Sequence, residues 1–294
     1  MLSVLVPIYN YNAYPLVEEL HKQCIELGIV FEILCQDDAS KSTLNTNNEK
    51  INSLSNCNFI SLEKNVAHRQ NRNLLAKRAK YEYLLFLDGD SIVINSHYIK
   101  NYINNLKEYD VIYGGRLHPE NYPSNQQILR WKYGKFIEDK LAKDRLKKPY
   151  KCLLFNNTII KKECFNKVKF DTEITLYGHD DTQLSYQLSL IPSKIHHIDN
   201  QIKHGDIDSN EVYINKTKNS IKSLLVLYAS KKIDYRYVSL LKLYVFLKTT
   251  KLHLIALLFY KIFKNTMTKN LVSNNPSLIV FNLFRISYMC SLKQ

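Results

Sequence analysis

Short apolar runs alternate with helix-spaced segments along the first two hundred residues of the chain. Residues 2–9 form a mostly apolar run that meets Pro7 and then a polar YNYN turn, a strand pattern. Leu16, Val17, Leu20, Cys24 and Leu27 repeat at helical spacing until Gly28, which predicts a helix over 14–27. FEILC at 31–35 predicts a second strand, delivering the chain to Asp37 and Asp38. A polar helix to about Leu54, a strand at 58–62 and a helix over 67–80 follow. YEYLLFLDGD at 81–90 predicts a fourth strand with its acids at the C-terminal end, and a helix at 96–107 and a strand at 110–115 complete this half. Such alternation argues for βαβ units and a mainly parallel sheet, whose ligands bind beyond the carboxyl ends of the strands. YNYN, QDDAS and DGDS all follow strands, so they are expected to converge on one site.

From 116 to 150 the pattern dissolves into HPENYPSNQQ and the charged helical stretch WKYGKFIEDKLAKDRLKK, an insertion expected over or beside the site. CLLFNNTIIKK at 152–162 resumes strand character. LYGHDDTQLSYQLSLI at 176–191 places Asp180 and Asp181 near a helix start, and 195–204 is a last strand-like segment ending at His204. Residues 208–219 read as a polar linker before a helical, amphipathic tail.

Charge changes the picture of that tail. The chain of 294 residues carries +14, yet residues 226–294 hold eleven Lys or Arg against the single acid Asp234, which leaves only +4 for the first 225. A nucleic-acid enzyme is expected to spread basic residues around its groove, so no nucleic-acid partner is expected. The tail's apolar runs are punctuated by Lys242, Lys248, Lys251, Lys261 and Lys264 and stay short of the roughly 18–20 residues of a span. Basic amphipathic helices lie in the headgroup plane, so attachment to an anionic membrane surface is expected. Packing on the rest of the chain, or a homodimer through the tail, are the alternatives. The six cysteines show no close pair and read as buried thiols of a cytoplasmic protein, and the N-terminus lacks the basic n-region of a secretory signal.

The candidate chemistry lies in acidic pairs. Asp88 and Asp90, separated by one glycine after an apolar strand, can hold a hard divalent cation, which takes oxygen ligands. In the Asp37-Asp38 pair one carboxylate can accept from a base N–H or a ribose hydroxyl while its neighbour caps a helix. Asp180 and Asp181 raise one another's pKa while a helix N-terminus lowers both, so one can serve as a base. His204 can ligate a metal or donate to phosphate. The sequence has no G-x-G-x-x-G, so nucleotide phosphates would need a metal rather than a glycine cradle.

Taken in order, SVLVPIYN, EILCQDDAS, KNVAHRQNRN, FLDGDS, YGHDDTQLSYQL and IKHG resemble the bacterial family 2 glycosyltransferases of the GT-A fold, an α/β nucleotide-diphospho-sugar transferase plan. The resemblance covers about residues 1–220, with a donor-binding half over about 1–115 and an acceptor-side half over about 116–220. It leaves 221–294 as the basic appendage. It implies that Pro7 and Tyr9 frame the nucleotide base, that Asp38 binds uracil, and that Asp88 lies near the donor ribose. It further implies that Asp90, approached by His204, ligates Mg²⁺ or Mn²⁺, and that Asp181 is the catalytic base with Asp180 beside it. Arg69 and Arg72 become candidate diphosphate or framework contacts. Asn156 and Asn157 fall on the strand that resembles the family's acceptor side. Three departures stand out: Ala39 replaces a usual glycine, Asp180 a usual glutamate, and the segment after Asn65 lacks a glycine.

The implied reaction is inverting hexosyl or N-acetylhexosaminyl transfer from a nucleotide sugar, UDP foremost, to a hydroxyl on a glycan or lipid-linked glycan of cell-surface polysaccharide, at the inner face of the cell membrane. A nucleotidyltransferase would share the acids but show a Gly-rich, Lys-containing loop near the first strand, and a non-catalytic binding protein need not keep all three acidic pairs.

Overall fold

A computed structural model of the chain describes residues 1–292 other than Pro123 and Asp206. Pro123 of the expected insertion and the last two residues of the tail therefore lie outside the described residues. The chain divides into two compact units: Met1–Leu117, Asp139–Glu173 and Leu184–Asp206 form the first, and His118–Glu138, Ile174–Gln183 and Ile207–Gln294 the second.

The first unit opens with β1 (Leu2–Ile8), α1 (Tyr14–Glu26), β2 (Phe31–Asp37), the short α2 (Asn45–Asn48), β3 (Cys57–Ser61), α3 (Ala67–Arg78) and β4 (Tyr83–Leu87). Proline in the first turn starts α1, and Gly28 at φ +59° turns the chain out of it. The expected polar helix to Leu54 is only α2 followed by a 3₁₀ turn. After the acids come β5 (Ser91–Val93), α4 (Tyr98–Ile103), β6 (Val111–Tyr113) and β7 (Arg116–Leu117). The sheet runs β3-β2-β1-β4 in parallel, as the alternation predicts.

The expected charged helix of the insertion is broken into α5 (Ile128–Tyr133), a π-helical turn at Gly134–Glu138 and α6 (Ala142–Arg145). A side chain on Gly134 would enter the His118 ring, so the backbone there is held tight within the second unit. Strand character at 152–162 condenses into β8 (Asn157–Lys161), antiparallel to both β4 and β6 and followed by α7 (Lys162–Val168). Then come α8 (Asp180–Leu188), β9 (Ile195–His197) beside β6, and β10 (Ile202–His204). The single strand-like segment at 195–204 is thus two strands in two sheets, since β10 lies between β5 and β7.

Side chains alternate across the main sheet, as strand geometry requires. Val4, Val6, Leu85 and Leu87 face a core with α1 and α4, whereas Leu5, Leu84 and Phe86 face Phe155, Phe165, Phe170 and Leu188 on the other side. Both faces are covered, which is why the central strands read as continuous apolar runs.

The second unit contains α5 with α9 (Asn210–Ala229), α10 (Ser239–Thr249), α11 (His253–Leu271) and α12 (Leu278–Ser291). The expected linker at 208–219 is instead the first half of α9. Its Ile214, Thr217 and Ile221 are buried at helical spacing, and the Ser209 hydroxyl caps it by accepting from Val212 N–H. Leu129, Ile214, Met267, Leu271, Phe281 and Phe284 form one core, so the tail helices share it with part of the insertion. Among the described residues no single helix is long and apolar enough to cross a membrane.

Candidate active site

Because β1, β2 and β4 are parallel neighbours, their C-terminal ends open on the same sheet edge. Asp38 leaves β2 with its N–H donating to Ile8 O at 2.9 Å, which ties it to the end of β1. Its Oδ1 accepts from Val66 N–H at 2.7 Å, and Oδ2 has no partner among the described residues. Asp37 is fully consumed by the fold: it accepts from Ser40 N–H, Ser40 Oγ and Ser61 Oγ. Asp37 thus ties the loop after β2 to β3 and caps no helix, whereas Asp38 keeps a carboxylate oxygen at the sheet edge. Ala39 adopts φ +55°, a conformation that costs a side chain about 1 kcal/mol, so its place is one where glycine fits better. Pro7 sits within β1 and the Tyr9 ring is exposed just beyond it.

Gly89 packs against the end of β1, where an added Cβ would stand 3.1 Å from Pro7 O. This close approach sets Asp88 and Asp90 on either side of a fixed glycine. Asp88 is gripped by the buried Arg72, with Nη2 to Oδ1 at 2.5 Å, and the same guanidinium lies over the Phe170 ring. Arg69 is also buried and its Nη1 donates to Asp171 O at 3.3 Å. Of the two arginines, Arg72 therefore reaches the acidic turn and Arg69 braces a neighbouring loop.

His204 arrives by way of the small sheet. The antiparallel register opposes His204 to Ser91, the residue after Asp90, and Gly205 N–H donates to Asp90 O at 2.9 Å. His204 Nδ1 consequently lies 3.0 Å from Asp90 Oδ2, with both side chains about one-fifth exposed. An added Cβ on Gly205 would stand 2.5 Å from Asp90 O, so only glycine lets the strands approach this closely. Periodicity cannot reveal strands of three residues, but the glycine directly after His204 was a visible signal.

Asp180 and Asp181 start α8, Asp180 buried and Asp181 half-buried, within the second unit. The turn before them is clamped on α9: Gly178 at φ +91° approaches Ser220 too closely for any side chain, and Ser223 Oγ donates to Gly178 O at 2.9 Å. His179, at φ +61°, completes the turn, and its Nδ1 lies 3.2 Å from Thr182 Oγ1.

Asn157 is not available to an acceptor. It is fully buried, its Oδ1 accepts from the Tyr98 and Tyr102 hydroxyls, and its Nδ2 donates to Gly115 O and Asn200 O, which uses all four positions of the amide. Burial pushes both phenols well up, keeping them as donors. Asn156, also buried, keeps an Oδ1 with no hydrogen-bond partner.

No group of three His, Cys, Asp or Glu is gathered for a metal among the described residues. The Asp90 and His204 pair nonetheless fits a divalent ion of the kind that takes one or two protein ligands and completes its shell with phosphate and water. A carboxylate and an imidazole converge there, and Asp90 Oδ1 has no partner among the described residues.

A mostly parallel sheet with carboxylates at its C-terminal edge and a helical extension after it is the GT-A plan. The chain belongs to the glycosyl transferase family 2, whose sequence profile matches residues 3–169. The fold is shared with the mannosyltransferase PcManGT from Pyrobaculum calidifontis, solved with GDP-Man and Mn²⁺, at a TM-score of 0.53 and 14% identity over 78% of this chain and 64% of that one. S. aureus TarS 1–349, solved with UDP-GlcNAc, gives 0.51 and 20% identity over 76% and 66%. A further structure of S. aureus TarS gives 0.51 and 20% identity over 76% of this chain and 39% of that one. The chain thus spans just under two thirds of the first two structures. No curated protein matches it.

Proposed function

We propose that the protein transfers a sugar from a nucleoside diphosphate donor to an acceptor hydroxyl with inversion at the anomeric carbon. The observation that carries this reading is the joining of Asp38, Asp88 and Asp90 on one sheet edge with His204 against Asp90. The family and the nucleotide sugars bound by PcManGT and TarS support it.

Asp38 Oδ2 is the acceptor for a uracil N–H, which favours UDP, and the exposed Tyr9 ring with Pro7 flanks the base. Asp88, held by Arg72, takes the ribose. Asp90 and His204 would hold Mg²⁺ or Mn²⁺, and a bound ion supplies neutralisation of the charge that grows on the diphosphate. Asp181 takes the proton from the acceptor hydroxyl as its oxygen bonds the anomeric carbon and the bond from that carbon to the diphosphate breaks. Asp180, buried beside it, keeps the start of α8 in place. Arg69 acts on the frame rather than on the donor. The acceptor is a glycan or lipid-linked glycan at an anionic membrane surface, a reading supported by the net charge of +10 in residues 226–294.

The test is release of UDP from a panel of nucleotide sugars with Mn²⁺, for the wild type and Asp181→Asn. The variant is expected to lose transfer while retaining UDP binding. Full activity in it would overturn the base assignment, and no turnover or metal-dependent nucleotide binding by the wild type would overturn the reaction.

A further inference from the structure

Helix α11 is apolar on two opposite sides. Met267 and Leu271 turn into the core of the second unit, with Phe259 and Tyr260 packed against it. Leu254, Leu258 and Ile262, spaced by four, form a stripe on the other side with Ile255, and these four side chains are 57–66% exposed. A helix that is apolar all round is ordinarily covered all round. The stripe continues across the corner to Leu252 and to Phe246 of α10, both exposed. Beside it an apolar groove of about 310 Å³ opens among α10, α11 and α12, with Leu247, Ala256, Phe259 and Ile286 in its walls.

Resting on the reading that the tail meets a membrane, we propose which part enters it: the corner of α10 and α11 is a wedge for the interface of an anionic bilayer. The two helices together have the length and hydropathy of a span, but they are bent by 111° at the break between them, so no straight crossing is available. Lys248 and Lys251 stand at the corner itself, and Lys261 lies beside the stripe. Threading the corner to mid-bilayer would bury those ammonium groups in hydrocarbon at high cost. At the interface the same side chains reach lipid phosphates while Phe246, Leu254, Leu258 and Ile262 enter the acyl region, the depth at which basic amphipathic helices rest. The groove then lies open to acyl chains of that leaflet. Charge selects this occupant over a second copy of the chain. Residues 226–294 carry +10, so two such faces repel, whereas phosphatidylglycerol neutralises them.

The full chain is tested by co-sedimentation with vesicles of phosphatidylcholine alone and of phosphatidylcholine mixed with phosphatidylglycerol. The wild type is expected on the anionic vesicles only. The triple variant Leu254→Glu, Leu258→Glu and Ile262→Glu, altered at exposed positions and checked for unchanged thermal unfolding, is expected to bind them about tenfold or more weakly. Equal binding by that variant would overturn the wedge while leaving membrane attachment intact. No binding by the wild type would overturn both, and neither result bears on UDP release. Depth is read separately. Trp131 is the single tryptophan, so Leu258→Trp in a Trp131→Phe background reports one site. Blue-shifted emission quenched by lipids brominated in their acyl chains is expected. Unshifted emission, or a wild-type dimer in solution that the triple glutamate variant abolishes, would overturn the proposal and in the latter case assign the face to a second copy.

Discussion

Replacing Gly205 by alanine probes the junction that delivers His204. The new Cβ would stand 2.5 Å from Asp90 O and 2.9 Å from the Tyr11 hydroxyl. Cβ contacts essentially never fall under 3.0 Å, so β10 and β5 must part by about 0.5 Å, a displacement that overpacking makes costly. The 2.9 Å bond from Gly205 N–H to Asp90 O lies on the same line and is stretched with it. Strain and the weakened bond together amount to about 2 kcal/mol, or a fall in Tm of about 3 °C for a chain of this length. The shift also moves His204 against Asp90, now 3.0 Å apart. Since a misplacement of about 1 Å can cost about a hundredfold in rate, half of that is expected to lower turnover about tenfold. The assay is UDP release as a function of Mn²⁺, read beside thermal unfolding. Gly28→Ala is the control: nothing lies within 4 Å of its added Cβ, yet φ is +59°, so it should lose about 1 kcal/mol of stability and no turnover. Wild-type turnover and metal dependence in Gly205→Ala would refute the claim that this close approach positions His204.

Two further outcomes follow from buried polar groups in the first unit. Arg145 Nε donates to His197 Nδ1 at 3.3 Å, so His197 Nε2 carries the proton and donates to Pro149 O at 2.9 Å. Burial, with the Arg145 charge beside it, pushes the His197 pKa down to about 4 from 6.5. The unfolded chain therefore binds the proton first: this histidine's contribution is complete above pH 6.5 and is lost as pH falls towards 4, up to about 3 kcal/mol. Urea midpoints between pH 7.5 and 5 should fall in the wild type and fall less in His197→Gln, and equal slopes would exclude the assignment. Asn157→Ala strands the Tyr98 hydroxyl and Asn200 O, while the Tyr102 hydroxyl keeps the backbone carbonyl of residue 157 and Gly115 O keeps Ile202 N–H, so a loss of about 2–4 kcal/mol in urea unfolding is expected, and a loss below about 0.5 kcal/mol would refute the network's role.

The long parallel strands could be read from the sequence because both their faces are buried, which makes apolar runs such as LLFL continuous up to the acids. Asp38, Asp88 and Asp90 were visible for the same reason: the run stops where the sheet edge begins. The partners of these acids were not. Arg72 is one arginine in a polar helix until its contact with Asp88 distinguishes it from Arg69. β5, β7 and β10 are too short to carry a period, yet they bring His204 to Asp90. Arg145 sits in a lysine-rich run that reads as a solvated helix face, but its guanidinium is buried and donates to Gly114 O, Ile198 O and Lys140 O. The start of α9 escaped because Ile214, Thr217 and Ile221 are diluted by polar residues that face outward.

The second unit is stitched from three stretches of chain, and this dictates an order of events on the ribosome. Leu129 and Tyr133 are made first, but the side chains that enclose them include Tyr213, Phe281 and Phe284, which follow some eighty to a hundred and fifty residues later. Until Phe281 and Phe284 have been added those residues wait uncovered, whereas the turn before Asp180 waits only for Ser220 and Ser223, which clamp it. A chain stopped near residue 225 would keep that clamp but lose the wall behind Leu129. The tail helices thus close a core begun about a hundred and fifty residues earlier.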